Sequence, residues 1–164
     1  MFETESACPR AYGIIVSEEL QSVFVGCLNA ILSFSTVSLT FRVRISVPSC
    51  TVRDMVVYSS DQFFLACESA GVFLIQLSTS TVTTVLSTSQ CQYPYGLAYN
   101  PFTDTLSVIC SSTLYVLRGS SLTLLKSLNL GSFECFGSNL NSVAIHWKTD
   151  AVFLSCANNL ISII

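Results

Sequence analysis

The sequence predicts an all-β fold made of one unit repeated about four times, and three observations predict it. The eight cysteines form two sets, at 8, 50, 91 and 135 and at 27, 67, 110 and 156, so every repeat of 40 to 46 residues holds one of each kind. Other landmarks keep the same register. Gln21, Asp61, Asp104 and Asp150 stand six positions before the later cysteine, and Gly13, Gly96 and Ser142 stand eight before Gln21, Asp104 and Asp150. The apolar runs are about five to seven residues long and rich in Val, Ile, Leu, Phe and Thr, which suits strands and is too short for helices of usual length.

Four runs follow one another in the first three repeats and three in the last. The first reads "GIIV", "MVVY", "GLAY" or "SVAI", the second repeat opening at Met55 after a tighter turn. The second ends on the later cysteine in "SVFVGC", "QFFLAC", "LSVIC" or "AVFLSC", and the third reads "AILSF", "VFLIQL", "LYVL" or "LISII". A fourth, "LTFRVRI", "VTTVL" or "LTLLKSL", completes the first three repeats. Four strands in about 42 residues is the period of a β-propeller blade. A β-sandwich fits the local turn spacing but not the repetition. The expectation is a partial β-propeller of about 3.5 four-stranded blades, 8–49, 50–90, 91–134 and 135–164, the last without its outer strand. Propellers close so that no long edge is bare. The chain is therefore expected to be a fragment of a ring of five to eight blades. The second arrangement is a homodimer completing an eight-bladed ring.

Composition excludes several classes. Hydrophobic residues make up 51% and charged residues 10%, against a usual charged share of about a quarter. A net charge of −3 with seven basic residues offers nothing to nucleic acid. Arg42 and Arg44, alternating with Phe41 and Val43, suit the solvent face of an outer strand. The opening "MFETESACPR" lacks the apolar core of a signal peptide. The uncharged window from Leu20 to Phe41 has Gln21, Asn29, many Ser and Thr, and period-two alternation, so it is expected to be strands and a turn, with no membrane insertion.

The stretch "YPYGLAYNPFTDTLSVICSSTLYVLRGSSLTLLKSL" resembles a blade of the NHL and YVTN repeat family, with Pro94, Gly96, Leu97, Ala98, Pro101 and Leu106 at matching places. "AYGIIV" keeps Gly13, and "NSVAIHW" keeps Ala144 and the apolar run. The resemblance spans nearly the whole chain as a repeat pattern, with Cys where the family has Asn or Asp after the second strand. The Gly-His and Trp-Asp marks of WD repeats are absent, since Lys148 follows Trp147.

In such a blade the first two strands form a hairpin, so the entry of one lies beside the end of the other. That arrangement implies disulfides Cys8–Cys27, Cys50–Cys67, Cys91–Cys110 and Cys135–Cys156. Pairing between neighbouring blades meets the same register, and buried thiols account for the later set alone. Disulfides imply an oxidising compartment, hence an extracellular or cell-surface piece of a larger chain. Free thiols would imply a cytoplasmic scaffold.

Little chemistry rises above this frame. His146 is the only histidine and falls at a turn position, and there is no C-x-x-C, nucleophile elbow or P-loop. Asp61, Asp104 and Asp150 fall in the turn between first and second strands, where Asp is expected to bond its own backbone. No catalytic residue, metal ligand or cofactor is expected. Tyr12, Tyr58, Tyr93, Tyr95, Tyr99 and Trp147 lie near first strands or the loops entering them, and Tyr12, Tyr93, Tyr95 and Trp147 are the candidate ligand-face aromatics. The expected function is non-enzymatic recognition of a protein, peptide or glycan. The alternative that the resemblance implies is a fragment of a gluconolactonase- or lactonase-like hydrolase whose site lies in other blades. A third is a remnant without a function of its own.

Overall fold

The computed structural model of the chain describes residue 8 and residues 10–133, 140–156 and 160–163. Their strands all pair antiparallel. β1 (Ile14–Ser17), β2 (Ser22–Ser35), β3 (Phe41–Ser59), β4 (Gln62–Glu68), β5 (Gly71–Gln76) and β6 (Thr81–Leu86) form one sheet in chain order. A second holds β7 (Pro94–Asn100), β8 (Thr105–Cys110), β9 (Thr113–Arg118) and β10 (Leu124–Asn129). A third holds β11 (Leu140–Ile145), β12 (Val152–Cys156) and β13 (Leu160–Ile163). No helix among the described residues is long and apolar enough to cross a membrane, and the window from Leu20 to Phe41 lies in β2 and the start of β3.

The first sheet contains two units. β2 reverses at Asn29, which has φ 59°, and its arms return to each other where the Thr36 amide donates to the Gln21 carbonyl. Leu77 with Asp61 and Gly119 with Asp104 make the same contact in the next two units. β3 is continuous across the expected boundary at 49 and 50. Its first part pairs with β2 and its second with β4, and Thr51 pairs with both Leu28 and Glu68. The link is short and irregular, with Ser49 in the left-handed region at φ 61° where the pairing with β2 shifts register, and it leaves the two units joined in one sheet.

Burial explains the composition of the strands. β4 and β8 lie inside their sheets and are covered on both faces, so Phe63, Phe64, Leu65 and Ala66, and likewise Leu106, Val108 and Ile109, have no accessible surface. A strand covered on both faces needs a continuous apolar run rather than an alternating one. Each such Phe or Leu contributes roughly 1.5–3 kcal/mol of burial. The outer strands β6 and β10 are largely exposed and correspondingly carry Thr, Ser and Lys. Three apolar clusters fill the joints between successive units: Phe24 and Ile31 against Met55 and Leu65, Phe64 and Val72 against Leu97 and Val108, and Ile109 and Leu114 against Val143 and Leu154.

The register corrects one sequence expectation. Opposite the residue that precedes the later cysteine stand Asp54 (across from Ala66), Gly96 (from Ile109) and Ser142 (from Ser155), and Gly13 faces Gly26 by a 2.7 Å amide bond. The inner strand of the second unit therefore matches the others from Asp54, not Met55. Its turn is one residue shorter rather than two, with a register shift between Val57 and Ser59. Neighbouring units approach each other closely here. A Cβ on Gly96 would lie 3.1 Å from the Val143 nitrogen, and one on Gly13 would lie 3.2 Å from the Asp54 Cα.

Candidate recognition surface

Three disulfides tie the entry of an inner strand to the end of its partner: Cys8–Cys27, Cys50–Cys67 and Cys91–Cys110, with Cα separations of 5.2, 5.0 and 5.0 Å. Cys156 closes β12, while Cys135, its expected partner, lies outside the described residues. All three bridges sit on one end of the sheets, because the antiparallel hairpin brings the start of one strand beside the end of the next.

On this end Ser69, Thr88, Ser89, Gln92 and Tyr93 line a shallow open depression of about 430 Å³. Its walls are braced. Ser111 donates its amide to the Tyr93 carbonyl (3.2 Å) and its hydroxyl to the Gln92 carbonyl (2.5 Å). The Tyr115 hydroxyl donates to the Gln90 carbonyl at 2.9 Å, and Gln90 Oε1 accepts from the Ser87 amide and hydroxyl, both at 3.1 Å. With Cys91–Cys110 these bonds fix the backbone of the loop, and the Tyr93 side chain is exposed at the rim of a polar, uncharged lining.

A second cluster stands on the same end. The Arg53 guanidinium lies 4.4 Å from the centre of the Tyr12 ring and 2.7 Å from Glu68 Oε1. The Glu68 hydrogen bond raises the Arg53 pKa against partial desolvation, and Tyr95 adds a smaller electrostatic contribution in the same direction. Beside it, Asp54 accepts from the Leu97 amide (2.8 Å) and from its neighbour Met55 (2.9 Å). Burial pushes the Asp54 carboxyl above its usual range, and the two amides only partly offset this. Arg53 and Asp54 were missed as functional candidates in "TVRDMVV". The available signal was a carboxylate where sister repeats carry Gly13, Gly96 and Ser142, hidden by the one-residue slip at Met55.

The four aromatics singled out by the sequence do not converge. Tyr12, Tyr93 and Tyr95 lie toward the cysteine-bearing end, but Trp147 is in the turn after β11, at the opposite end. There it stacks on Phe102 at 5.2 Å, with the Lys148 ammonium 4.7 Å from its ring centre. Tyr58 and Tyr99 also belong to that end: their rings meet at 5.1 Å and the Tyr99 hydroxyl donates to Asp104 at 3.0 Å.

The turn aspartates reach further than their own backbones. Asp61 accepts from the Ser78 amide (2.7 Å) and hydroxyl (2.5 Å), and Asp104 from the Ser120 hydroxyl (2.6 Å) and amide (3.1 Å). Each thus clamps the turn between the first two strands to the turn between the last two. Asp150 instead reaches the preceding sheet, accepting from Asn100 Nδ2 (2.6 Å) and the Thr103 hydroxyl (2.8 Å). His146 is exposed in its turn, 2.9 Å from the Thr149 hydroxyl. Arg42 donates to the Leu20 carbonyl (2.9 Å) and Ser22 hydroxyl (2.8 Å), and with Arg44 it lines a groove of about 580 Å³ beside Leu77 of the second unit. Among the described residues no three His, Cys, Asp or Glu side chains converge as metal ligands would.

No protein-family model matches the chain, and no curated protein matches it. Among solved structures, the WD40 β-propeller domain of Doa1 superposes with a TM-score of 0.74 at 14% identity, covering 93% of this chain and 49% of that one. The fold is that of a β-propeller. The computationally designed Ika4 protein matches with a TM-score of 0.70 at 10% identity, over 94% of this chain and 91% of that one. The designed Ika8 protein matches at 0.67 and 12% identity, over 93% and 45%. This partial propeller therefore spans nearly all of one of these chains and about half of the other two. At such identities the likeness establishes the fold alone.

Proposed function

We propose that the protein is a non-enzymatic recognition propeller of the NHL/YVTN type, binding an uncharged polar ligand, a glycan before a peptide, on its cysteine-bearing end. The observation that carries this reading is the depression around Tyr93. Its hydroxyl and amide lining offers hydrogen bonds without charge, and its exposed aromatic face offers a stacking surface. Bracing by Cys91–Cys110 limits the entropy lost on binding. The same three disulfides support a place outside the cell. A lactonase-like site gains no support from the inner strands. Asp54 is the acid found there among the described residues, and both its oxygens accept backbone amides.

The test is a glycan array and a peptide array probed with the oxidised protein, followed by titration of the best ligand. Tyr93→Ala is expected to weaken binding about tenfold or more, the effect of removing a stacking anchor. Trp147→Ala, at the other end, is expected to leave it unchanged. Binding indifferent to Tyr93, or lost with Trp147, would move the site to the opposite end and end this reading.

A further inference from the structure

The turn between the first two strands recurs in every blade, at the end opposite the cysteines, but its residues differ from blade to blade. In the first blade it exposes Glu18 and Glu19, and in the second it passes through Ser59 and Ser60. The third and fourth blades carry Phe102 and Trp147 there, 74% and 51% exposed. The turn closes with acidic or small residues, so its geometry does not call for large rings. Rings left in water add little to the fold, whereas clustered exposed aromatics are the usual anchors of an interface.

The two turns are locked together beneath the rings. Asn100, 1% exposed, donates from Nδ2 to the Trp147 carbonyl (3.1 Å) and to Asp150 Oδ1 (2.6 Å), and its Oδ1 accepts the Phe102 amide (3.1 Å). One buried side chain therefore fixes the backbone under both aromatics. Asp150 also accepts from the Thr103 hydroxyl at 2.8 Å, and the His146 carbonyl accepts the Asp150 amide at 2.9 Å. The rings lie 5.2 Å apart and 38° from parallel, so they form a tilted pair across the joint of the third and fourth blades. Such bracing reduces the ordering that a partner must bring about on binding.

The charge beside the pair is positive. The Lys148 ammonium lies 4.7 Å from the Trp147 ring centre and has no ion pair among the described residues. Arg118 donates to the Thr103 carbonyl at 3.0 Å, one residue from Phe102. The acids of these turns are engaged by neutral donors, Asp150 by Asn100 and Thr103, and Asp104 by Ser120 and Tyr99. Arg118 also interacts with Asp104, which leaves Lys148 the fuller charge.

We propose that Phe102 and Trp147 form a docking platform for an acidic peptide segment of a partner protein. An apolar side chain of that segment lies against the two rings, and a neighbouring carboxylate meets Lys148. Adhesion to anionic lipid calls for about four or more clustered cations, and two stand here, so a peptide is the better fit. This site lies at the other end of the blades from Tyr93, and the inference does not rest on the ligand there.

Trp147 is the only tryptophan, so its emission reads the platform directly. Short synthetic peptides with one Leu or Phe among Asp and Glu are expected to shift that emission saturably, and added salt to weaken the effect. The same peptides with Lys in place of the acids should not shift it. Phe102→Ala is expected to weaken acidic-peptide binding about tenfold or more, as for loss of an aromatic anchor. Lys148→Glu should weaken the acidic peptides and favour the Lys-bearing ones. Both positions are exposed, so circular dichroism, disulfides and glycan binding at Tyr93 stay unchanged. Four results would overturn the proposal: no shift with any peptide; equal shifts with acidic and basic peptides, which would mean apolar adhesion alone; a shift only with phosphatidylserine vesicles; or a shift that grows with protein concentration alone, which would make the occupant a second copy.

Discussion

The two ends of these blades solve the same problem with different chemistry. At one end the entry of the inner strand is tied to the end of its partner by a disulfide, as in Cys50–Cys67 and Cys91–Cys110. At the other, a turn is tied to a turn by a carboxylate, as in Asp61 on Ser78 and Asp104 on Ser120. Both devices restrain the same antiparallel strands. The covalent one is indifferent to acid and sensitive to reductant, and the hydrogen-bonded one is the reverse. The reductant-sensitive tie therefore belongs to one end alone, while the carboxylate clamps make the other end respond to acid. The braced end also holds Tyr93 at the rim of the proposed ligand site.

The largest effect expected from this difference is covalent. Replacing Cys91 and Cys110 together by Ala removes a loop closure across 19 residues and should cost about 3 kcal/mol in denaturant unfolding. It should also weaken ligand binding at Tyr93. Equal stability of the variant and wild type would erase the contrast between the ends.

A smaller effect is expected from the clamp. Desolvation works to raise Asp104, but its bonds from the Ser120 hydroxyl and amide and the Tyr99 hydroxyl hold the carboxyl below its usual range. The Ser78 hydroxyl bond lowers Asp61 in the same way. A carboxyl with a depressed folded pKa stabilises above its unfolded value, about 4, and that contribution is lost as pH falls through the folded value. Asp104→Asn suits the φ of 54° at this position and should cost about 0.5–1 kcal/mol at pH 7, with most of the difference gone in strong acid. A loss that persists at low pH would mean that packing around Tyr99, not charge, holds the turn.

Asp54 has the opposite sign and the smallest expected effect. Its folded pKa is raised, so its contribution to stability is greatest below about pH 4 and declines as pH rises through the folded value. Asp54→Asn should therefore change stability at pH 7 by no more than about 0.5 kcal/mol, with an amide oxygen still able to accept from Leu97. Thermal unfolding followed from pH 3 to pH 7 should show a steeper acid-side loss in the variant, because the opposing carboxyl is gone. An unchanged slope would mean that Asp54 titrates as an ordinary exposed acid.

Much of the fold was legible because it is local. The strands, the hairpins and the pairing of Cys8 with Cys27, Cys50 with Cys67 and Cys91 with Cys110 all lie within one repeat, at separations of 17 to 19 residues. The candidate site was legible only in part. Tyr93 stood out as an aromatic in an entry loop, but Ser69 and Thr88 carry no motif and join it only when two loops fold side by side. Trp147 was placed at the wrong end because nearness to a first strand in sequence does not say which end of the strand a residue occupies.

By itself, then, the sequence determined an all-β chain of repeated four-strand units with a cysteine pair in each, since strand periodicity and short-range loop closure depend on neighbours within the repeat. Only the tertiary structure decided what those units do to one another. It bonded Asp54 to the amide of Leu97, 43 positions away, reached Asp150 back to Asn100, and buried Met55 while leaving its equivalent Ile14 in solvent. The physical reason is common to all three. Burial and long-range hydrogen bonds belong to the joint between blades, and no single repeat encodes the surface it will meet.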